Sequence, residues 1–224
     1  MDLDAPIRTP AIRLLAGLSQ PVQDRVDGAE PGKFWFTGTN EVIEPPFRCL
    51  LIFNHPGNAL FPKGDNPDYN GLEKCISNDG ITGSVYGSCA ECGKCTQWRK
   101  PLHGGAKQRK PLGSKVHAMI VMTNRGPAYL RAMNTSYPEA DAFLQSVKWA
   151  QENPWAHPLV VDSVQRSFPL PGGKIVNYHV LRFGWDRGDT CPPDVSAAYR
   201  ALHDEFATAW EHGRLQPEDT ADES

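Results

Sequence analysis

Phe47-Arg-Cys-Leu-Leu-Ile-Phe53, set between Pro45-Pro46 and Asn54-His55-Pro56, is the stretch on which the fold turns. A short, largely apolar run bounded by turn residues predicts a buried strand. Before it, residues 1–10 read as a flexible lead ending at Thr9-Pro10. Ala11 to Leu18 (AIRLLAGL) predicts a docked short helix or strand, broken by Gln20-Pro21. Pro31-Gly32 marks a turn, and Phe34-Trp35-Phe36-Thr37 has the aromatic and β-branched character of a strand.

After the run, residues 54–115 are dense in Gly, Pro, Asn and Asp, with little that reads as regular structure. A loop of this length needs something to pin it. Val116 to Thr123 (VHAMIVMT) returns to strand character, and Asn124-Arg125-Gly126-Pro127 turns it towards a partner at Ala128 to Met133. Ser136-Tyr137-Pro138-Glu139 combines a Ser cap, a first-turn Pro and a Glu three residues on, predicting a helix to about Glu152. Residues 159–168 and 174–183 flank Pro169-Leu170-Pro171-Gly172-Gly173 as a β-hairpin. Asp194 then caps a second helix, with Val195, Tyr199, Leu202, Phe206 and Trp210 at helical spacing and Gly213 as its stop. The expected fold class is α+β. It is a β-rich single domain over 11–213, with an insertion at about 54–115, two peripheral helices and an acidic C-terminal tail at 214–224.

Composition sets the bounds. With 224 residues, 40% of them hydrophobic, the chain can build a core, and 20 Gly with 20 Pro favour short elements. No apolar run approaches the roughly 20 residues of a membrane span, and Met1-Asp2-Leu3-Asp4 lacks the start of a secretory signal. The expectation is a soluble cytoplasmic protein with no membrane partner, whose six cysteines are thiols or metal ligands.

Four of these cysteines cluster. Cys75, Cys89, Cys92 and Cys95 are spaced C-x13-C-x2-C-x2-C, and each x2 step lets consecutive thiolates converge on one centre. Structural zinc takes four such ligands and would pin the insertion. Iron–sulfur ligation is the rival, but the usual Cys-Pro three residues on is replaced by Thr96-Gln97-Trp98. His103 is an alternative fourth ligand to Cys95. Cys49 reads as a small core residue, and Cys191 has no evident partner.

The net charge of −3 hides an uneven distribution. Between Glu91 and Glu139 there are 47 residues with no acid and nine cations: Lys94, Arg99, Lys100, Lys107, Arg109, Lys110, Lys115, Arg125 and Arg131. Only 14 of the 23 basic residues remain to face all 26 acidic ones. A basic segment of this kind is the footprint of nucleic-acid contact, although a solvated face has the same composition. Trp98 adjoins Arg99 and Lys100, and Tyr129 lies two residues before Arg131, so both are candidates for base stacking. Phe34 and Phe36 are core candidates first.

Enzyme motifs fail. Gly87 to Lys94 misses the P-loop by one residue, with Cys95 where Ser or Thr should hold magnesium. The only His-x-Glu, His203–Glu205, follows the cysteines and so cannot serve a zinc deaminase. Four cysteine ligands leave no open position for a catalytic water. No nucleophile stands beside any of the seven histidines, and the chain reads as non-enzymatic.

The order Leu18-Ser19-Gln20-Pro21-Val22, Pro31-Gly32-Lys33-Phe34, Cys75-Ile-Ser-Asn-Asp79-Gly80-Ile-Thr-Gly83, Cys89-x2-Cys92 and Gln97-Trp98 resembles a group of bacteriophage-encoded early or replication proteins. The likeness covers roughly residues 11–135, and the cysteine segment is its most specific part. In that group a last cysteine falls further downstream, whereas here Cys95 stands in for it. The resemblance implies single-stranded DNA binding in replication or transcription control, an OB-like core, and action in a host cytoplasm. The strands legible in the sequence do not by themselves make a five-stranded barrel. The expected partners are single-stranded DNA with replication proteins or RNA polymerase. The alternative is a zinc-ribbon-like interaction module that docks on RNA polymerase.

Overall fold

A computed structural model describes residues 7–60, 73–77, 80–96, 112–170 and 173–217. In chain order its elements are β1 (Ile7–Thr9), β2 (Ala11–Leu14), α1 (Gln20–Gln23), β3 (Phe34–Phe36), β4 (Glu41–Ile43) and β5 (Phe47–Leu60). The insertion holds β6 (Cys75–Ser77), β7 (Thr82–Gly83), β8 (Gly87–Ser88), α2 (Cys89–Cys92) and a 3-10 turn at Lys94–Thr96. Then follow β9 (Ser114–Thr123), β10 (Gly126–Met133), α3 (Tyr137–Ala150), β11 (Leu159–Pro169), β12 (Ile175–Trp185), α4 (Pro193–Glu211) and β13 (Leu215–Pro217). The fold is α+β and rich in strands, as expected.

One curled sheet carries the molecule, in the order β12-β11-β5-β9-β10-β2-β3-β4, with β6 added to β5. Every neighbouring pair is antiparallel except β10 and β2. β5 produces the curl. Its first residues, Phe47 to Cys49, pair with β11, and from Leu50 onwards it pairs with β9, with a register shift between Leu51 and Phe53. An extra residue at such a bulge bends the strand and increases its twist, so one long strand serves both arms of the sheet. The far arms come back towards each other, and the Ser163 hydroxyl donates to the Gly32 carbonyl across the gap.

The concave side is filled by Ile12, Phe34, Phe36, Leu51, Met119, Val121, Leu130, Leu159, Val161 and Leu181. Ala140, Phe143 and Val147 of α3 close it. Phe34 and Phe36 are therefore core. On the convex side Ile52, Phe53, Ala118, Ile120 and Tyr129 are covered by Phe206 and Ala209 of α4, together with Trp155 and Leu215. Among the described residues no helix is long and apolar enough to cross a membrane.

Several boundaries differ from the sequence expectation. β5 does not end at Asn54-His55-Pro56 but runs on to Leu60, so the insertion begins later than residue 54. Among the described residues its edge away from β9 has no strand partner between the β11 and β6 contacts, where proline is tolerated in a sheet. Lys115 and Ser114 likewise belong to β9 rather than to the insertion. The last part of the expected flexible lead is β1, paired in parallel with β13 through Ile7↔Leu215 and Thr9↔Pro217; the first part of the expected tail is thus a strand. Residues 1–6 and 218–224 lie outside the described residues.

Both long helices form, with different starts. Ser136 sits at the N-cap of α3 but does not cap it; its hydroxyl accepts the Leu181 N–H at 3.0 Å and ties the helix to β12. Pro192 is the N-cap of α4, and Asp194 lies in the first turn, where a carboxylate complements the helix dipole. α1 and α2 are additional single-turn helices.

Candidate cysteine centre and nucleic-acid interface

The insertion begins on β5. Cys75 pairs with Leu60 as β6 adds to the sheet, and Leu60, Cys75 and Leu112 form a small apolar cluster with Tyr86 and Cys95 against it. The chain then turns through the β7–β8 pair into α2, whose first turn is capped by the Ser88 hydroxyl accepting the Glu91 N–H at 3.4 Å. Gly93, at a φ of 58°, ends α2 and redirects the backbone to Cys95.

Two glycines make room for sulfur. A Cβ at Gly83 would lie 2.6 Å from the Cys75 Sγ and 3.9 Å from the Cys89 Sγ; at Gly113 it would lie 2.7 Å from the Cys95 Sγ. The Cys95 thiol is pushed up to about 11, first by burial and then by the neighbouring Cys89, Cys92 and Cys75. The other three cysteines of the insertion are thus near enough to Cys95 to act on its thiol. Among the described residues no group of three or more His, Cys, Asp or Glu side chains is placed to hold a metal ion. Cys75 and Cys89 border the space beside Gly83 and Cys95 that beside Gly113, and sulfur donors of this kind suit a thiophilic ion. His103 lies outside the described residues. Cys49 is in the concave core, where burial raises its thiol strongly, and Cys191 is half-buried near Asp194.

Of the nine cations, the four that are described do not form one patch. Trp98, Arg99, Lys100, Lys107, Arg109 and Lys110 lie outside the described residues. Lys94 lies in the cysteine insertion with its ammonium 4.6 Å from the Tyr86 ring centre, and the exposed Lys115 is two residues beyond Gly113, whose N–H bonds to the Cys95 carbonyl. Those two share the cysteine end of the sheet. Arg125 sits at the opposite end of β9, about 27 Å away at the rise of an extended strand. There its Nε donates to Glu41 at 2.8 Å. Arg131 faces Ala118 across β10 and β9, its guanidinium 5.6 Å from the Tyr129 ring centre.

Tyr129 cannot stack a base. It is 1% exposed, packed between the sheet and α4, with its hydroxyl 3.2 Å from the His55 Nε2. The His55 Nδ1 lies 3.1 Å from the Pro56 carbonyl, which can only accept; Nδ1 thus carries the proton and Nε2 accepts from the tyrosine. His55 also stacks on Trp210 of α4, so this pair is an internal tie between sheet and helix.

The sequence reading passed over His117. Its ring stacks on Tyr137 at 4.5 Å, and its Nε2 donates to Asp141 at 3.0 Å. Its Nδ1 is buried and unpartnered among the described residues. Burial, with Asp141 adding to it, raises the Tyr137 hydroxyl. The group borders a cavity of about 350 Å³ between α3 and the sheet, with Asn54, Gln145, Lys148 and Glu152 around it. Among the described residues no Ser, Thr or Cys lines that cavity. No sequence signal marks it, because Asp141 reaches His117 only through the packing of α3.

Comparison of the chain with family models, with curated proteins and with solved structures gives no match to any of them.

Proposed function

We propose that this chain is a non-enzymatic single-stranded DNA-binding protein of OB-like architecture, whose four-cysteine insertion is a structural zinc centre that presents a basic segment to the phosphate backbone. The observation that carries this reading is the strand order. β5, β9 and β10 form a meander, α3 follows, and β11 and β12 form a hairpin whose first strand returns to β5. This is the connectivity of a five-stranded OB barrel. The place where such a barrel closes, between its third and fifth strands, is taken here by β2 and β3.

In this order the insertion is the connection between the first and second barrel strands, one of the loops with which OB folds grip oligonucleotides. Six of the nine cations, and Trp98, fall within it. α4 covers the convex face of β9 and β10, so contact with a single strand falls to the insertion and to the rims of the sheet. Cys75, Cys89, Cys92 and Cys95 would hold the zinc, which supplies no reaction chemistry and fixes the loop that bears the charge.

Titration of a fluorescent single-stranded oligonucleotide, beside a duplex of equal length at several salt concentrations, tests the reading. Tight single-strand binding, weak duplex binding and a log–log salt slope of several units are expected. Binding to neither would overturn it and turn the search to a docking role on RNA polymerase.

A further inference from the structure

The β11–β12 hairpin outgrows the sheet. β5 accompanies β11 only as far as Val161, and from there to Pro169 the paired strand is β12 alone. A two-stranded ribbon in water ordinarily ends in polar residues, yet this one ends in apolar ones: Phe168 is 56% exposed and Ile175 63%, with Leu170 and Val176 also exposed. Between Asp162 and Asp186 the chain has no acidic residue and carries Arg166, Lys174 and Arg182. This is a second acid-free segment, separate from the one around the cysteines.

The register places these groups. Phe168 faces Val176, and two positions back Arg166 faces Tyr178, so an aromatic ring, a guanidinium and a phenol share one face of the ribbon. Arg166 keeps an ion pair to Glu139 at 3.6 Å while its side chain remains more than half exposed. An exposed ring among cations, with Glu139 paired to Arg166 as the carboxylate beside them, is the chemistry that holds a single strand: a face for bases and charges for the backbone. A lipid surface or a protein groove would use the apolar tip but would not call for the absence of acids from Ser163 to Trp185.

We infer that the ribbon is a second nucleic-acid contact, an arm on which bases of a single strand stack against Phe168 while Arg166 and Lys174 meet phosphates. This rests on the function proposed above and extends it to a part of the chain that the basic middle segment does not include.

Binding of the full-length protein to fluorescein-labelled oligothymidylate, as wild type, Phe168→Ala, Phe168→Tyr and Lys174→Gln, tests it. Loss of one stacked base predicts roughly tenfold weaker binding for Phe168→Ala with an unchanged salt slope, and recovery in Phe168→Tyr. Lys174→Gln is expected to lower the slope by about one unit. Because these side chains are exposed, melting temperatures should stay level, which separates binding from folding. If wild type binds and the variants bind equally well, the arm is overturned while the function stands. If wild type binds nothing, the function falls and takes the arm with it. If Phe168→Ala instead abolishes self-association of the protein without touching oligonucleotide affinity, the ribbon is a contact between copies and the inference is wrong.

Discussion

The concave core and the cysteine insertion solve the same problem with different materials. Among the described residues, seventeen buried side chains fill the space between the curled sheet and α3, while three gather at the insertion. At about 1.5–3 kcal/mol for each large side chain buried, the first set suffices for a fold. What the insertion adds is four cysteines, with Gly83 and Gly113 leaving room beside the sulfurs of Cys75, Cys89 and Cys95. Hydrophobic burial sets the framework, and in the function proposed above zinc ligation sets the appendage that carries the charge.

The sharpest way to break this comparison is to remove the proposed zinc. Chelation, or Cys89→Ser with Cys92→Ser, should release zinc and open the insertion to protease. The ligation lost is on the order of 10 kcal/mol, judged from small zinc domains. The curled sheet should still melt cooperatively, because its core shares no side chain with the sulfur cluster. Elemental analysis, limited proteolysis and calorimetry on one sample would decide it; loss of both transitions together would show the two regions to be one.

The converse is Leu130→Ala. Leu130 is fully buried in the concave core, and a cavity there should cost about 2–5 kcal/mol of global stability. Zinc content per folded molecule should not change. Denaturant melts followed by metal analysis would show whether the framework can weaken while the centre persists.

The smallest effect concerns Arg125, which sequence reasoning placed with the phosphate contacts. Glu41 is held below its ordinary range first by its hydrogen bond to Thr39 and then by Arg125. A carboxylate with a depressed folded pKa contributes stability at neutral pH that is lost as the pH falls below the usual carboxylate range. The pair is exposed, so Arg125→Gln should shift melting at pH 7 little, flatten its acid dependence slightly, and leave oligonucleotide affinity near wild type. A large drop in affinity would put Arg125 back in the interface.

Much of the framework was legible because its elements are bounded. The β9–β10 and β11–β12 hairpins and both long helices stand between clear turn residues. Where the reading slipped, the cause lay far along the chain. β5 runs through Pro56 because β9, more than fifty residues later, pairs with it, and no local rule shows that partner. Tyr129 looked like a platform beside a cation, yet α4 arrives some seventy residues downstream to cover it. The parallel pair of β1 with β13 joins segments about two hundred residues apart, beyond the reach of any pattern. Of the candidate site, the gathering of four cysteines in one insertion was readable from spacing. The scattering of the described cations was not, since charge along a chain does not reveal which end of a hairpin each residue reaches.

That clasp of β1 and β13 has a mechanical consequence. In a parallel pair, tension on the chain before Ile7 and after Pro217 pulls the two strands past each other along their length. The Ile7, Arg8 and Thr9 pairings are then loaded together in shear rather than peeled one by one. Because β13 follows directly on α4, the same clasp holds that helix against the sheet while the chain is under load.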